Sequence, residues 1–247
     1  MSIINAQRRQ DSKLLSRLLR RVSTLRSVVN ASLQRPIPEL DPVDAYALWA
    51  DSYPPEAHNP LMELEQNAML ELLPDLKNKI VLDLACGSGR YILKAREKGA
   101  SLIYGLDFSP AMLSRARRIS NQLVRGSMLS IPFESSSIDA VICGLAVGHV
   151  ENLAPVVHEM GRVLRPGGHV IYSDTHPFGK LAGWKRRFHT IRGEVYTVKH
   201  YFHLYADHHT ACRLSGLVIE EIREPLIEGD HPWAGCPAAL AIRARKY

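Results

Sequence analysis

From residue 80 onward the chain alternates short apolar runs with stretches of helical period. Residues 80–82 form an apolar run that leads into a glycine-rich turn and then a helical stretch over about 91–98. Apolar runs recur at 102–106, 122–124, 138–143 and 169–173, and helical stretches at 110 to about 119 and at about 153–164. Arg165-Pro166-Gly167-Gly168 reads as the turn before the fifth run. Strands that alternate with helices imply right-handed crossovers, and hence a doubly wound, mostly parallel sheet. Two short helices, 41–49 and 61–73, precede it, separated by Tyr53-Pro54-Pro55. Residues 176–204 fit no crossover and are expected as an inserted cap. A helix at about 206–214 and strands at 217–221 and 238–242, the last antiparallel, complete a seven-stranded α/β sheet.

The first 37 residues follow another pattern. Leu14, Leu18, Val22, Leu25 and Val29 recur at spacings of 4, 4, 3 and 4, widened by Leu15 and Leu19, with arginines on the opposite face. Pro36 and Pro38 end the run. Charge separates this arm from the rest. Residues 1–37 carry eight cations and only Asp11, so of the formal net charge of +6 the remaining 210 residues hold about −1. A neutral body lacks the clustered cations that phosphate binding needs, which argues against a nucleic-acid partner. The arm (1–37) is expected as an accessory helix that docks on the core or a partner. Membrane-surface attachment and organelle import are the other readings of it. Residues 38–247 are expected as one domain.

The four cysteines form no C-x-x-C pair, and the longest apolar run, 140–148, is nine residues, against about 20 for a membrane span. A soluble, cytoplasmic protein is expected.

Ligands of open parallel sheets gather beyond the carboxyl ends of the strands, and the strongest motifs fall there. The first is Asp83-Leu84-Ala85-Cys86-Gly87-Ser88-Gly89-Arg90. Its glycines permit a tight turn and close approach to a ligand, and the following helix aims free N–H groups at the same place. The second strand ends at Gly105-Leu106-Asp107-Phe108-Ser109, with Asp107 18 residues after Gly89. An acid there can accept both hydroxyls of a ribose. The plainer reading makes Asp107 a helix cap, a task that Ser109 can also perform.

These motifs, with Ile131-Pro132-Phe133 before strand four and Arg162-Val163-Leu164-Arg165-Pro166-Gly167-Gly168 before strand five, resemble the class I S-adenosylmethionine-dependent methyltransferases. The similarity is greatest to the type 11 small-molecule branch, which includes ubiquinone/menaquinone C-methyltransferases and malonyl-acyl-carrier-protein O-methyltransferases. It covers residues 41–174 well and 205–247 by topology only. The resemblance implies a Rossmann-like fold with S-adenosyl-L-methionine as cofactor. It also implies methyl transfer to a small-molecule or carrier-bound acceptor by direct in-line displacement.

Carried onto this sequence, Asp83 and the turn Ala85, Cys86, Gly87, Ser88 and Gly89 hold the methionine end of the cofactor. Asp107 holds the ribose, and Phe108 and Met112 lie against the adenine. Where the family has an acid after strand three, this chain has Gly126-Ser127-Met128, which leaves the adenine amino group to Ser127, Met128 and their backbone. Leu145 and Ala146 floor the site. Tyr46-x-x-Trp49-Ala50-x-x-Tyr53 resembles the family's aromatic lid; core packing of a short helix is the alternative for Tyr46 and Trp49.

For proton removal His149 is the candidate base, with Asp174 and His176 at the end of strand five facing the same cleft; each is otherwise a pocket wall. The cap residues Trp184, Arg186, Arg187, Tyr196, His200, Tyr201, His203, Tyr205, His208 and His209 suit a polar or anionic acceptor. The histidine pairs share their spacing with no cysteine or acid, so no metal is expected. A nicotinamide-dependent oxidoreductase shares the strand–turn–helix–acid pattern, but Ile92 stands where its third glycine belongs. No Asn/Asp-Pro-Pro-aromatic run of nucleic-acid amino-methyltransferases follows strand four. A non-catalytic cofactor-binding scaffold is the remaining alternative.

Overall fold

A computed structural model describes residues 36–54, 56–230 and 232–247. The expectations for the arm lie outside them. Residues 39–247 form one unit.

Its elements run as follows. The N-terminal part holds β1 (Glu39–Leu40), α1 (Pro42–Trp49) and α2 (Pro60–Leu72). The alternating part holds β2 (Ile80–Leu84), α3 (Arg90–Glu97), β3 (Leu102–Asp107), α4 (Pro110–Ala116), β4 (Leu123–Arg125), β5 (Ile138–Cys143), α5 (Ala154–Val163) and β6 (Leu164–Thr175). The cap holds α6 (Phe178–Leu181), β7 (Arg186–His189) and β8 (Val195–Val198). The chain closes with α7 (Tyr205–Leu214), β9 (Leu217–Arg223) and β10 (Ala239–Lys246).

The large sheet has seven strands in the order β4-β3-β2-β5-β6-β10-β9. Five are parallel, and β10 runs antiparallel between β6 and β9. The strand order reverses between β2 and β5, where ligand clefts form in such sheets. Side chains alternate across the sheet as strand geometry requires. Leu82 and Leu84 join one core layer with α5 and α7, while Val81, Ala140 and Ile142 join the other with α2 and α3. Asp83 therefore projects toward α2 and α3.

Three features differ from the sequence reading. Arg165–Gly168 is no separate turn: β6 already pairs at Leu164 with Ile138, and resumes at His169 with Ala140. The four residues between are accommodated as an irregularity within one long strand, with Gly167 in the left-handed region at φ 80. The cap, expected only as an insertion outside the crossovers, forms a hairpin of β7 and β8, and β1 pairs parallel to β8 as a second, three-stranded sheet. Helix α4 also stops at Ala116, short of residue 119.

Candidate active site

At the carboxyl end of β2 the backbone turns through Ala85, a non-glycine residue at φ 57, then Gly87 at φ 53 and Gly89 at φ 98. Leu145, just past β5, is the facing residue of the same kind at φ 54. Left-handed alanine and leucine are strained, and such strain concentrates at ligand sites. A Cβ on Gly87 would meet nothing within 4 Å, so one side of the turn faces open space. The turn is tied to its surroundings by Ser88, whose hydroxyl donates to the Pro54 carbonyl at 3.1 Å.

Asp107 braces the turn from β3. Its carboxylate accepts from the Gly87 N–H and the Ser109 N–H, each at 2.8 Å, and it is 5% exposed. Burial pushes its pKa up against these bonds. The helix cap is Ser109, whose hydroxyl accepts from Met112 N–H at 3.3 Å. Phe108 is half-buried beside it, and Met112 is buried on α4. Met128 is buried in the core against the β3 face, whereas Ser127 is exposed and its hydroxyl accepts locally from Leu129 N–H.

Beneath the turn lies a polar network that the motifs did not announce. Glu65, fully buried on α2, pairs with Arg90 at 2.9 Å and accepts from the Tyr91 hydroxyl at 2.8 Å and the Ser173 hydroxyl at 2.5 Å. Ser173 in turn accepts from Leu145 N–H at 2.9 Å. The network thus joins α2, α3, β6 and the strained Leu145. A Cβ on Gly144 would fall 2.2 Å from the Tyr91 ring, so only glycine fits there. The signal was present: Met62, Glu65, Ala68, Met69 and Leu72 share the buried stripe of α2, and a lone carboxylate among them needs a partner. Asp83, on the same side of the sheet, is 1% exposed with one carboxylate oxygen unpartnered. Burial pushes its carboxyl up to about 8, opposed by Arg90.

Helix α1 closes the cleft. The Tyr46 ring lies 6.5 Å from Phe108 and 5.4 Å from His149, with its hydroxyl 3.0 Å from His149 Nε2. Trp49 stacks between Tyr46 and Phe188 of β7, and Tyr53 packs edge-on to Trp49. Trp49 is thus a core residue of the small sheet as well as part of the aromatic cover.

The expected bases are placed less simply. His149 has its Nδ1 toward the Lys199 carbonyl at 3.3 Å and its Nε2 between Tyr46 and Arg186. Burial, reinforced by Arg186, lowers its pKa to about 3, a poor match to proton removal near neutrality. His176 accepts from Phe178 N–H through Nδ1 and meets Glu224 through Nε2 at 2.9 Å, so both nitrogens are engaged. Asp174 instead faces His200 at 3.3 Å and His203 at 3.8 Å. Although burial opposes it, these histidines hold its carboxyl well below the usual range. A Cβ on Gly148 would lie 2.1 Å from His200 Cε1 and 2.7 Å from Asp174 Oδ1, so glycine makes room for the pair. His208 bonds Tyr172 at 3.1 Å.

Next to this pair a cavity of about 570 Å³ opens between α2, the cap and the strand ends, with Leu145, Arg186 and His200 in its wall.

Comparison with known proteins decides the family. Residues 82–172 match the methyltransferase domain family, type 11. A solved S-adenosylmethionine-dependent methyltransferase of Mesorhizobium loti superposes with a TM-score of 0.63 at 25% identity, covering 74% of this chain and 98% of that one. Residues 82–172 thus form a methyltransferase domain, set in the fold of the S-adenosylmethionine-dependent methyltransferases.

Within that family, a demethylmenaquinone methyltransferase of Listeria welshimeri is 34% identical over 128 residues, 48% of this chain and 54% of the relative. A phthiotriol/phenolphthiotriol dimycocerosates methyltransferase of Mycobacterium leprae is 30% identical over 161 residues, 62% of this chain and 57% of the relative. The matched segment thus spans little more than half of each. These matches favour a methyltransferase over the nicotinamide-dependent alternative, and S-adenosyl-L-methionine is the cofactor of the family. The residues present suit it. The unpartnered oxygen of Asp83 fits an ammonium, Gly87 leaves open space for a close approach, and Asp107 stands at the end of β3. No described helix is long and apolar enough to cross a membrane.

Proposed function

We propose that this methyltransferase transfers the sulfonium methyl group of S-adenosylmethionine to a small-molecule or carrier-bound acceptor seated in the cavity under the cap. One observation carries the reading. Leu145, the strained residue that follows β5 beside the glycine turn, is also a wall of that cavity, so the two compartments share one residue. In this reading Asp83 and the turn 85–89 hold the methionine end, Asp107 the ribose, and Phe108 and Met112 the adenine, with Ser127 and Met128 at its edge. Tyr46 and Tyr53 cover the site.

When bound, the cofactor supplies an electrophilic methyl. The protein's part is alignment: holding the acceptor atom about 3–3.5 Å from the methyl carbon, in line with the departing sulfur, supplies most of the acceleration. The methyl would pass to the acceptor, and the carbon–sulfur electron pair would remain on the cofactor's sulfur. Where the acceptor sheds a proton, His200, held by ionised Asp174, takes it. His149 orients Tyr46 and Arg186. The protein acts in the cytoplasm, on no nucleic acid, and residues 1–37 serve as an accessory arm.

The test is direct. Incubation with isotopically labelled S-adenosylmethionine and a cell metabolite extract should label a discrete acceptor. Calorimetry should show micromolar binding of S-adenosylhomocysteine and far weaker binding of NADH. Binding of NADH alone would overturn the reading.

A further inference from the structure

The cavity carries a second message, in the side chain of Arg186. Arg186 and Phe188 share the inward face of β7, since residues two apart on a strand point the same way. Phe188 is buried on that face and stacks on Trp49 at 4.9 Å, while Arg187 and His189 are exposed. A guanidinium has thus been placed at a core-facing position, 5.8 Å from the ring centres of both Tyr46 and Trp49.

Its protein partners are neutral. Nη1 donates to the Leu145 carbonyl at 2.9 Å and lies 3.4 Å from His149 Nε2. Among the described residues no carboxylate lies within ion-pair distance of Arg186, and neither Nε nor Nη2 has a hydrogen-bond partner. Asp174, Tyr46 and Tyr53 favour its charge only through space. Arg186 is half-buried in the cavity wall, and a charge in so apolar a wall is ordinarily paired, because desolvation of an ion without a counter-ion is costly. The edge left over, Nε with Nη2, is the side of the guanidinium that grips a carboxylate through two parallel bonds.

The surroundings narrow the partner further. Arg186 lines the cavity together with Lys185 and Arg187, against a single lining acid among the described residues, Glu228. The rest of the wall is largely apolar and aromatic, with Trp184 and Trp233 edge-on to one another at 6.2 Å and Phe202 close by. Such a chamber takes a flat apolar body and leaves one anionic group to be neutralised.

We infer that the acceptor is a planar organic acid whose carboxylate is bound side-on by Arg186. The inference rests on the methyltransferase reading and adds the substrate class to it. The cofactor's own carboxylate is the competing source of the same chemistry, and the test separates the two.

The protein is first saturated with S-adenosylhomocysteine, and that binding is recorded by calorimetry. Planar acids of one to three rings (cinnamate, indole-3-acetate, anthracene-9-carboxylate) are then titrated beside their neutral amides. At least one acid should bind, and at least tenfold more tightly than its amide. Arg186→Met should weaken the acid about 10- to 100-fold, as loss of charge-assisted bonds implies. Arg186→Lys, which keeps the charge without the fork, should fall between. Both variants should bind S-adenosylhomocysteine within about twofold of the parent, which also shows that they fold. Equal affinity for acid and amide, no acid binding to the saturated protein, or weakened S-adenosylhomocysteine binding in both variants overturns the inference. Failure of the parent to bind S-adenosylhomocysteine instead removes the underlying methyltransferase reading.

Discussion

In the proposed site, Asp83 should make cofactor binding a proton-releasing event. With its carboxyl at about 8 in the free protein, about nine molecules in ten carry the proton at pH 7, one unit below that value. An ammonium brought beside the carboxylate favours the ionised form and expels the proton. Titration of S-adenosylhomocysteine in buffers of differing ionisation enthalpy should therefore report release of about 0.9 proton per site at pH 7, falling to about 0.5 at pH 8. Asp83→Asn should abolish the release and weaken binding by about 10- to 100-fold, the equivalent of one charge-assisted hydrogen bond of about 1.5–3 kcal/mol.

Folding should respond with a definite sign. The folded-state pKa lies above the unfolded one. The stability that Asp83 contributes is therefore fully present below about pH 4 and is lost progressively as the pH rises through about 8. Between those limits the melting temperature of Asp83→Asn should fall less steeply than the parent's. Release below about 0.1 proton at pH 7, or parallel pH slopes for the two proteins, would refute the argument.

Two further predictions concern the network and the base. Glu65→Gln keeps the acceptor for Tyr91 and Ser173 but leaves Arg90 without its counter-charge. Stability should drop by about 3–5 kcal/mol, a melting temperature about 6–20 °C lower for a unit of this size. Adding Arg90→Met should recover most of the loss, and strictly additive losses in the pair would show that the two do not interact. With an acceptor that loses a proton, His200→Gln should lower turnover by about 10²–10⁴-fold, whereas His149→Gln should lower it by less than about tenfold. The opposite pattern would return the role to His149.

The sheet was legible because buried parallel strands announce themselves as near-continuous apolar runs; β5 falls on 138–143 as the pattern predicts. The glycine turn and Asp107 were legible because strand ends place them without reference to distant residues. What the sequence concealed is held by tertiary partners. Glu65 meets Ser173 across 108 residues, and Arg186 meets Leu145 across 41. No spacing rule connects such positions. Strand β1, two residues long, has no period to read. Asp107 shows a subtler limit. Its place at a strand end suggested a side chain free in the cleft, yet both carboxylate oxygens already receive backbone N–H groups. His149 and His176 stand where a base is expected, but burial and neighbours decide their chemistry.

The pairing of β1 with β8 has a kinetic consequence. Leu40 lies beside Val198, the Leu40 carbonyl accepts from Lys199 N–H at 2.9 Å, and Trp49 of the following helix rests on Phe188. The helix proposed to cover the cofactor cleft and the hairpin that walls the cavity are therefore tied together through one small sheet. A movement that lifts either lifts both. In the proposed reaction, spent cofactor and methylated product then depart through a shared opening step, and their residence times rise and fall together.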